Sequence, residues 1–136
     1  MRTASPEVIE RFQHGFECWN RHELDEMMES YTPDAELDLA RVLPDEGTVR
    51  GRDEIRAYYD RIWHAWAGFG WTPQEIIDLG DDSYAVVTRI EAQGRSSGVP
   101  VGTEFTIVYR VVEGRIAHAV YYPCGKAGLE AAQLQG

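Results

Sequence analysis

Three ionisable side chains stand in apolar stretches of this sequence. Arg89 and Glu91 lie two apart within Tyr84 to Gln93, and His118 lies among Ile116, Val120 and Tyr122. Both stretches alternate with period two, which predicts β-strands. A carboxylate or imidazole beside a guanidinium is the equipment of acid–base catalysis. Glu91 or His118 would serve as the base, and Arg89 would fix a carboxylate or stabilise developing negative charge. A second reading stands beside this one. Residues two apart on a strand share a face, and the opposite face carries Tyr84, Val86 and Ile90, which has the character of core. On that reading Arg89 and Glu91 form a solvated or dimer-face ion pair, and His118 is a satisfied histidine on an apolar face.

Other chemical signatures fail on context. Gly94-Arg95-Ser96-Ser97-Gly98 matches G-x-S-x-G, but a nucleophile elbow needs a strand before it and a helix after it. Val99-Pro100-Val101 leads into another strand instead, so the match reads as a loop. His14, His22, His64 and His118 form no H-x-H or H-E-x-x-H, and Cys18 and Cys124 form no pair motif, so no metal is expected. Neither G-x-G-x-x-G nor a P-loop is present, so neither a nucleotide site nor any other cofactor is expected.

The elements that position these groups follow from periodicity. Ser5-Pro6 opens a helix, with an N-cap hydroxyl and proline at the first helical position. Val8, Phe12, Phe16 and Trp19 make its apolar stripe, and Asn20-Arg21-His22 interrupts it. Leu24, Met27, Met28 and Tyr31 form a second, shorter helix, ended by Thr32-Pro33-Asp34. Ala35 to Val42 predicts a short strand. Ile55, Tyr59, Ile62 and Trp66 share one face of a third helix over Arg52 to Trp66, stopped by Gly68-Phe69-Gly70. Strands are then predicted over Trp71–Leu79, Tyr84–Gln93, Thr103–Val112 and Arg115–Tyr122. Gly80 to Ser83 and Glu113-Gly114 are their turns. Lys126 to Leu134 closes the chain as a small amphipathic helix.

Composition bounds the class and the partners. The 136 residues fit one α+β domain over 1–136, long enough to bury a core, with helices segregated onto one face of an antiparallel meander. The net charge is −10, and its thirteen cations are one lysine and twelve arginines. That field disfavours nucleic acid and anionic membrane. No secretory signal is read at the N-terminus, which with two unpaired cysteines points to the cytoplasm.

The order and spacing of several short pieces resemble the nuclear transport factor 2-like superfamily, in its SnoaL-like polyketide cyclase branch. These are Trp19-Asn20-Arg21-His22-Glu23-Leu24-Asp25, Tyr31-Thr32-Pro33-Asp34-Ala35, Gly51-Arg52-Asp53-Glu54-Ile55, Val112-Glu113-Gly114-Arg115-Ile116 and Tyr121-Tyr122 followed by Ala127-Gly128-Leu129-Glu130-Ala131-Ala132. The resemblance implies a cone-shaped sheet wrapped around N-terminal helices, a pocket for a small apolar molecule and a homodimer. It implies no single reaction. The ketosteroid isomerases of the superfamily carry a base aspartate where this chain has Leu39, beside Asp38, and an oxyanion tyrosine near Gly15, so that reaction is not expected. The limonene-epoxide hydrolase type carries Arg-x-Asp where this chain has Arg89-Ile90-Glu91. Its last-strand acid falls at Val120, between His118 and Tyr122. Two functions follow as expectations. One is a cofactor-free isomerase, cyclase, dehydratase or hydrolase acting on a polyketide-, terpenoid- or steroid-like substrate. The other is a non-catalytic binding or scaffold domain. Trp19, Tyr31, Asp38, Tyr59, Trp63, Trp66 and Tyr122, with Trp71, are the side chains expected around a ligand or in the core beside it.

Overall fold

The computed structural model describes residues 2–94 and 100–123. The expected closing helix, Cys124 and the loop beyond Gly94 lie outside the described residues. In chain order the elements are β1 (Arg2–Thr3), α1 (Pro6–Asn20), α2 (Leu24–Met28), β2 (Tyr31–Asp38), β3 (Thr48–Arg50), α3 (Arg52–Ala65), β4 (Trp66–Gly80), β5 (Ser83–Gly94), β6 (Pro100–Val112) and β7 (Arg115–Pro123). The strands form one sheet in the order β1-β4-β5-β6-β7-β2-β3. Every pair is antiparallel except β2 with β7, and the edge strands do not meet. The fold is thus the expected α+β arrangement, a curved sheet with helices on its inner face.

Local chemistry sets the boundaries. The Ser5 hydroxyl accepts the Val8 N–H at 3.3 Å and caps α1, with Pro6 where no donor is lost. Phe12, Phe16 and Trp19 are buried along it, as their spacing predicts. The helix closes where His22 takes a positive φ of 57°. The His22 N–H then donates to the Trp19 carbonyl at 2.9 Å, and the Glu23 N–H to the Cys18 carbonyl at 2.8 Å. This is a Schellman closure with histidine in the left-handed position. Both predicted hairpin turns have two positive-φ residues, Asp81–Asp82 and Glu113–Gly114, whose twist suits flanking strands.

Two expectations need correction. Tyr31 belongs to β2 rather than to the helix before it, and β2 begins four residues earlier than Ala35. Gly68-Phe69-Gly70 does not separate α3 from the next strand, since β4 starts at Trp66 directly after the helix. Its first residues pair with Gly94, Gln93 and Ala92 of β5 across a register shift between Trp66 and Gly68. Glycine is tolerated at such an irregularity, and the long partner strand supplies the hydrogen bonds that override its low propensity. Pro73 sits mid-strand, at the next register shift, where a missing N–H breaks no regular ladder.

The core is an aromatic cluster on the inner face. Trp19 is fully buried, and its ring meets Tyr59, Trp63, Phe69 and Trp71 edge-on at centroid distances of 4.9 to 5.5 Å. One polar clamp ties α1 to the sheet beneath it. The Asn20 side-chain amide donates to the Trp71 carbonyl at 2.9 Å, and its carbonyl accepts the Trp71 N–H at 2.8 Å. Both backbone groups of Trp71 face this amide rather than a strand. Replacing Asn20 by Ala strands both of them and should destabilise the fold by about 1–3 kcal/mol in a urea titration. An Asn20→Asp variant, which keeps the shape but loses the donor, should fall between the two.

Candidate functional site

A cavity of about 220 Å³ lies between α3 and the inner face of the sheet. Each wall comes from one element. Tyr58, Tyr59 and Ile62 come from α3, and Trp66, Phe69 and Trp71 from β4. Ile90 and Ala92 of β5, Thr103 and Phe105 of β6, and Tyr121 of β7 line the sheet side. Leu39, Val42 and Leu43 close one end, and Leu43 is exposed there. Among the described residues, no lining side chain carries a formal charge or an imidazole. Five of the seven lining aromatics come from the strands and two, Tyr58 and Tyr59, from α3.

The polar groups of this interior are phenols. The Tyr59 and Tyr121 hydroxyls share a hydrogen bond at 2.8 Å, and the Tyr31 hydroxyl lies 3.5 Å from that of Tyr59. Three O–H groups and two bonds leave one O–H unspent. A chain running from Tyr31 through Tyr59 leaves it on Tyr121, which lines the cavity. Tyr59 and Trp71 also wall a second chamber of about 30 Å³, bordered by Tyr31 and Tyr109. Burial pushes the Tyr31 phenol up to about 12 and raises Tyr59, Tyr109 and Tyr121 well above the usual tyrosine range. These groups therefore stay neutral and act as donors, not as bases. Among the described residues, the buried indole N–H groups of Trp71 and Trp19 find no hydrogen-bond partner.

The SnoaL-like domain model matches residues 12–119. The chain belongs to the SnoaL-like domain family. Solved structures of low sequence identity share its fold. An NTF2-like protein of unknown function from Burkholderia pseudomallei superposes with a TM-score of 0.74 at 20% identity, over 93% of this chain and 95% of that one. A Mycobacterium tuberculosis protein crystallised with estradiol-17β-hemisuccinate gives 0.72 at 18% identity, over 88% and 94%. TerC co-crystallised with polyporic acid gives 0.74 at 16%, over 95% and 99%. Comparison with curated proteins returns no match.

Within this SnoaL-like domain the residues singled out from sequence divide into three groups. Tyr59, Trp66 and Trp71 line the cavity, and Tyr31 borders the chamber behind it. Trp19 and Trp63 belong to the aromatic cluster, with Trp63 stacked on His22 at 4.4 Å. The remainder lie on the outer face of the sheet. Arg89 sits 3.1 Å from Glu91 and 4.0 Å from Glu104, with the Arg89 and Glu91 side chains 41% and 73% exposed. His118 pairs with Arg110 and Glu36 across its neighbouring strands. Asp38 bonds Arg41 at 3.2 Å, and the Arg41 guanidinium lies over the Tyr122 ring at 4.9 Å.

The physical reason is strand alternation. Ile90 and Ala92 on β5, and Ala119 and Tyr121 on β7, point into the core, so Arg89, Glu91, His118 and Tyr122 point out. The catalytic arrangement read from Arg89, Glu91 and His118 therefore does not assemble at the cavity. Sequence reasoning missed Tyr121, Phe105 and the phenol chain. The available signal was the alternation of Ala119 and Tyr121 against His118, Val120 and Tyr122.

The raised phenols fix a sign for stability. A phenol whose folded pKa exceeds its unfolded value keeps its contribution below about pH 10, and loses it as pH rises toward the folded value. Unfolding free energy should thus be flat through neutral pH and fall above about pH 10. Absorbance at 295 nm should show Tyr31, Tyr59, Tyr109 and Tyr121 silent until the chain unfolds. Four early-titrating phenols in the folded protein would contradict this.

Proposed function

We propose that this domain binds a small, mostly apolar and uncharged molecule in the cavity, holding one acceptor oxygen of it through the Tyr59–Tyr121 phenols. The observation that carries the reading is the lining itself, which among the described residues is apolar and aromatic, with neutral donors and no carboxylate, imidazole or cation. Ligand sites have this composition, with a few polar groups to set orientation. An apolar cavity of about 150 Å³ takes up a benzene, and drug-sized ligands occupy about 300–1,000 Å³. The space here suits one or two rings. Structural neighbours crystallised with estradiol-17β-hemisuccinate and polyporic acid support ring systems as the ligand class.

Of the two functions expected from sequence, binding is favoured over acid–base catalysis on a polyketide-, terpenoid- or steroid-like substrate. The candidate bases Glu91 and His118 sit on the other side of the sheet from any cavity ligand. Neutral phenols can polarise a carbonyl but take up no proton near pH 7.

We also propose that the chain works as a homodimer through the outer sheet face. The part-exposed Val108 and Val120 pair there across β6 and β7, beside Ile77 and Ala85, which the chain itself buries. Static light scattering should return twice the 15.4 kDa of one chain. A particle of single-chain mass at micromolar concentration would remove the dimer.

Tryptophan fluorescence titrations test the binding reading. 2-Acetylnaphthalene should bind more tightly than 2-ethylnaphthalene, because only the ketone accepts a hydrogen bond. Replacing Tyr121 by Phe should weaken the ketone about fivefold and leave the hydrocarbon unchanged, a difference of ~1 kcal/mol for one hydrogen bond. Ala92→Phe should fill the cavity and abolish both. Equal affinity of the two probes for wild type and both variants would overturn the assignment of the cavity.

A further inference from the structure

Outside the cavity, three metal-ligating side chains converge between the turn that closes α1 and the outer side of α3. Nε2 of His22 lies 3.3 Å from Oδ1 of Asp60, and Nδ1 of His64 lies 3.6 Å from the same oxygen. One donor atom from each of the three residues falls within 4.8 Å of the others. A metal bound at about 2.0–2.1 Å sets the donor atoms of a tetrahedral site about 3.4 Å apart. The two measured separations lie on either side of that value.

The supports are as specific as the distances. His22 occupies the left-handed closing position of α1, where both hydrogen bonds of the closure fix its backbone. Its ring lies flat on Trp63, with the planes within 1° at 4.4 Å. Asp60 and His64 are one turn apart on α3, so their side chains share a face. The rings of His22 and His64 stand nearly perpendicular at 5.5 Å.

We propose that His22, Asp60 and His64 form a binding site for a divalent transition-metal cation of the zinc type, with its remaining positions open to water. Two imidazoles and one carboxylate suit such a cation, whereas calcium and magnesium take all-oxygen sets. The chain's net charge of −10 favours cation binding from a distance. Binding replaces existing contacts: the hydrogen bond between Nε2 of His22 and Oδ1 of Asp60 gives way to coordination by both atoms. Nδ1 of His64 sits 2.9 Å from the Asp60 backbone carbonyl, a contact it trades for the metal. The side chain is 63% exposed, so the ring has room to turn.

A second grouping, His14, Cys18 and Glu26, is less suited. Its buried Cys18 thiol donates to Glu26 at 3.1 Å, and burial pushes that thiol up to about 12. A metal there would first have to expel a firmly held proton. At His22, Asp60 and His64 the cation would instead join the α1–α2 turn to α3, the helix whose Tyr59 and Ile62 line the cavity. His22 and Asp60 are 38 residues apart, which is why no spacing motif announces the site.

Isothermal titration of the tag-free protein with zinc chloride near neutral pH tests the proposal. One equivalent should bind, and the melting temperature should rise with zinc and return with EDTA. His64→Ala, at an exposed position, and Asp60→Asn should each weaken zinc binding about tenfold or more. Cys18→Ser should leave it unchanged. Three results would overturn the site: no zinc uptake at millimolar concentration, wild-type affinity in His64→Ala, or a loss that follows Cys18→Ser instead.

Discussion

Strand alternation across β5, β6 and β7 decides which side chains a ligand can meet. Helices α1 and α3 cover one face of the sheet only, so each strand residue is committed to the core or to the outer face by its parity. On β5 that commitment separates Ile90 and Ala92 from Arg89 and Glu91. On β7 it separates Tyr121 from Tyr122. The energetics enforce the choice. A slip of one residue would carry Arg89 and Glu91 into an apolar interior, where desolvating an ion pair costs several kcal/mol per charge. On the outer face the same pair is half-solvated, sits near Glu104 and costs little.

The interior so protected is not economical for stability alone. The space of about 220 Å³ leaves its lining side chains without the packing partners that a filled core would give them. Buried indole N–H groups without partners add to the deficit. The Trp19 cluster and the Asn20 clamp offset it from just outside the cavity. Trp71 belongs to both regions. Its ring touches Trp19 and lines the cavity, while its backbone is gripped by Asn20. The best packing of the fold is thus concentrated beside the cavity rather than within it.

Much of this architecture was legible in the sequence. The Ser5-Pro6 start, the Phe12–Phe16–Trp19 stripe, the two hairpin turns and the four long strands follow from local rules that tertiary structure did not override. Where reading failed, a partner strand supplied the missing information. Nothing local says that Gly68 to Gly70 is strand, because glycine there is held by pairing to β5. The two short edge strands carry too few residues for any period to show. The site was harder to read than the fold. The sequence places Arg89, Glu91 and His118 on strands but gives their face only through comparison with Ile90 and Tyr121, and polar side chains attract attention that the neutral phenols do not. Tyr31, Tyr59 and Tyr121 meet across long sequence separations, and only the closed fold brings their hydroxyls together.

The distribution of charge narrows the ligand further. Among the described residues, the charges lie outside the cavity lining, which offers nothing to neutralise an anion and no carboxylate to receive a cation. A charged group buried beside Tyr59 and Tyr121 would lose its hydration for one or two neutral hydrogen bonds, an exchange that leaves several kcal/mol unrecovered. A neutral carbonyl, ether or hydroxyl loses far less and recovers it from a single phenol, strengthened by the hydroxyl behind it. On the proposed binding reading, selectivity rests on exclusion as much as on contact. The apolar walls would disfavour charge, the volume would limit bulk, and the phenol chain would distinguish neutral ring compounds by whether they present an acceptor to Tyr121.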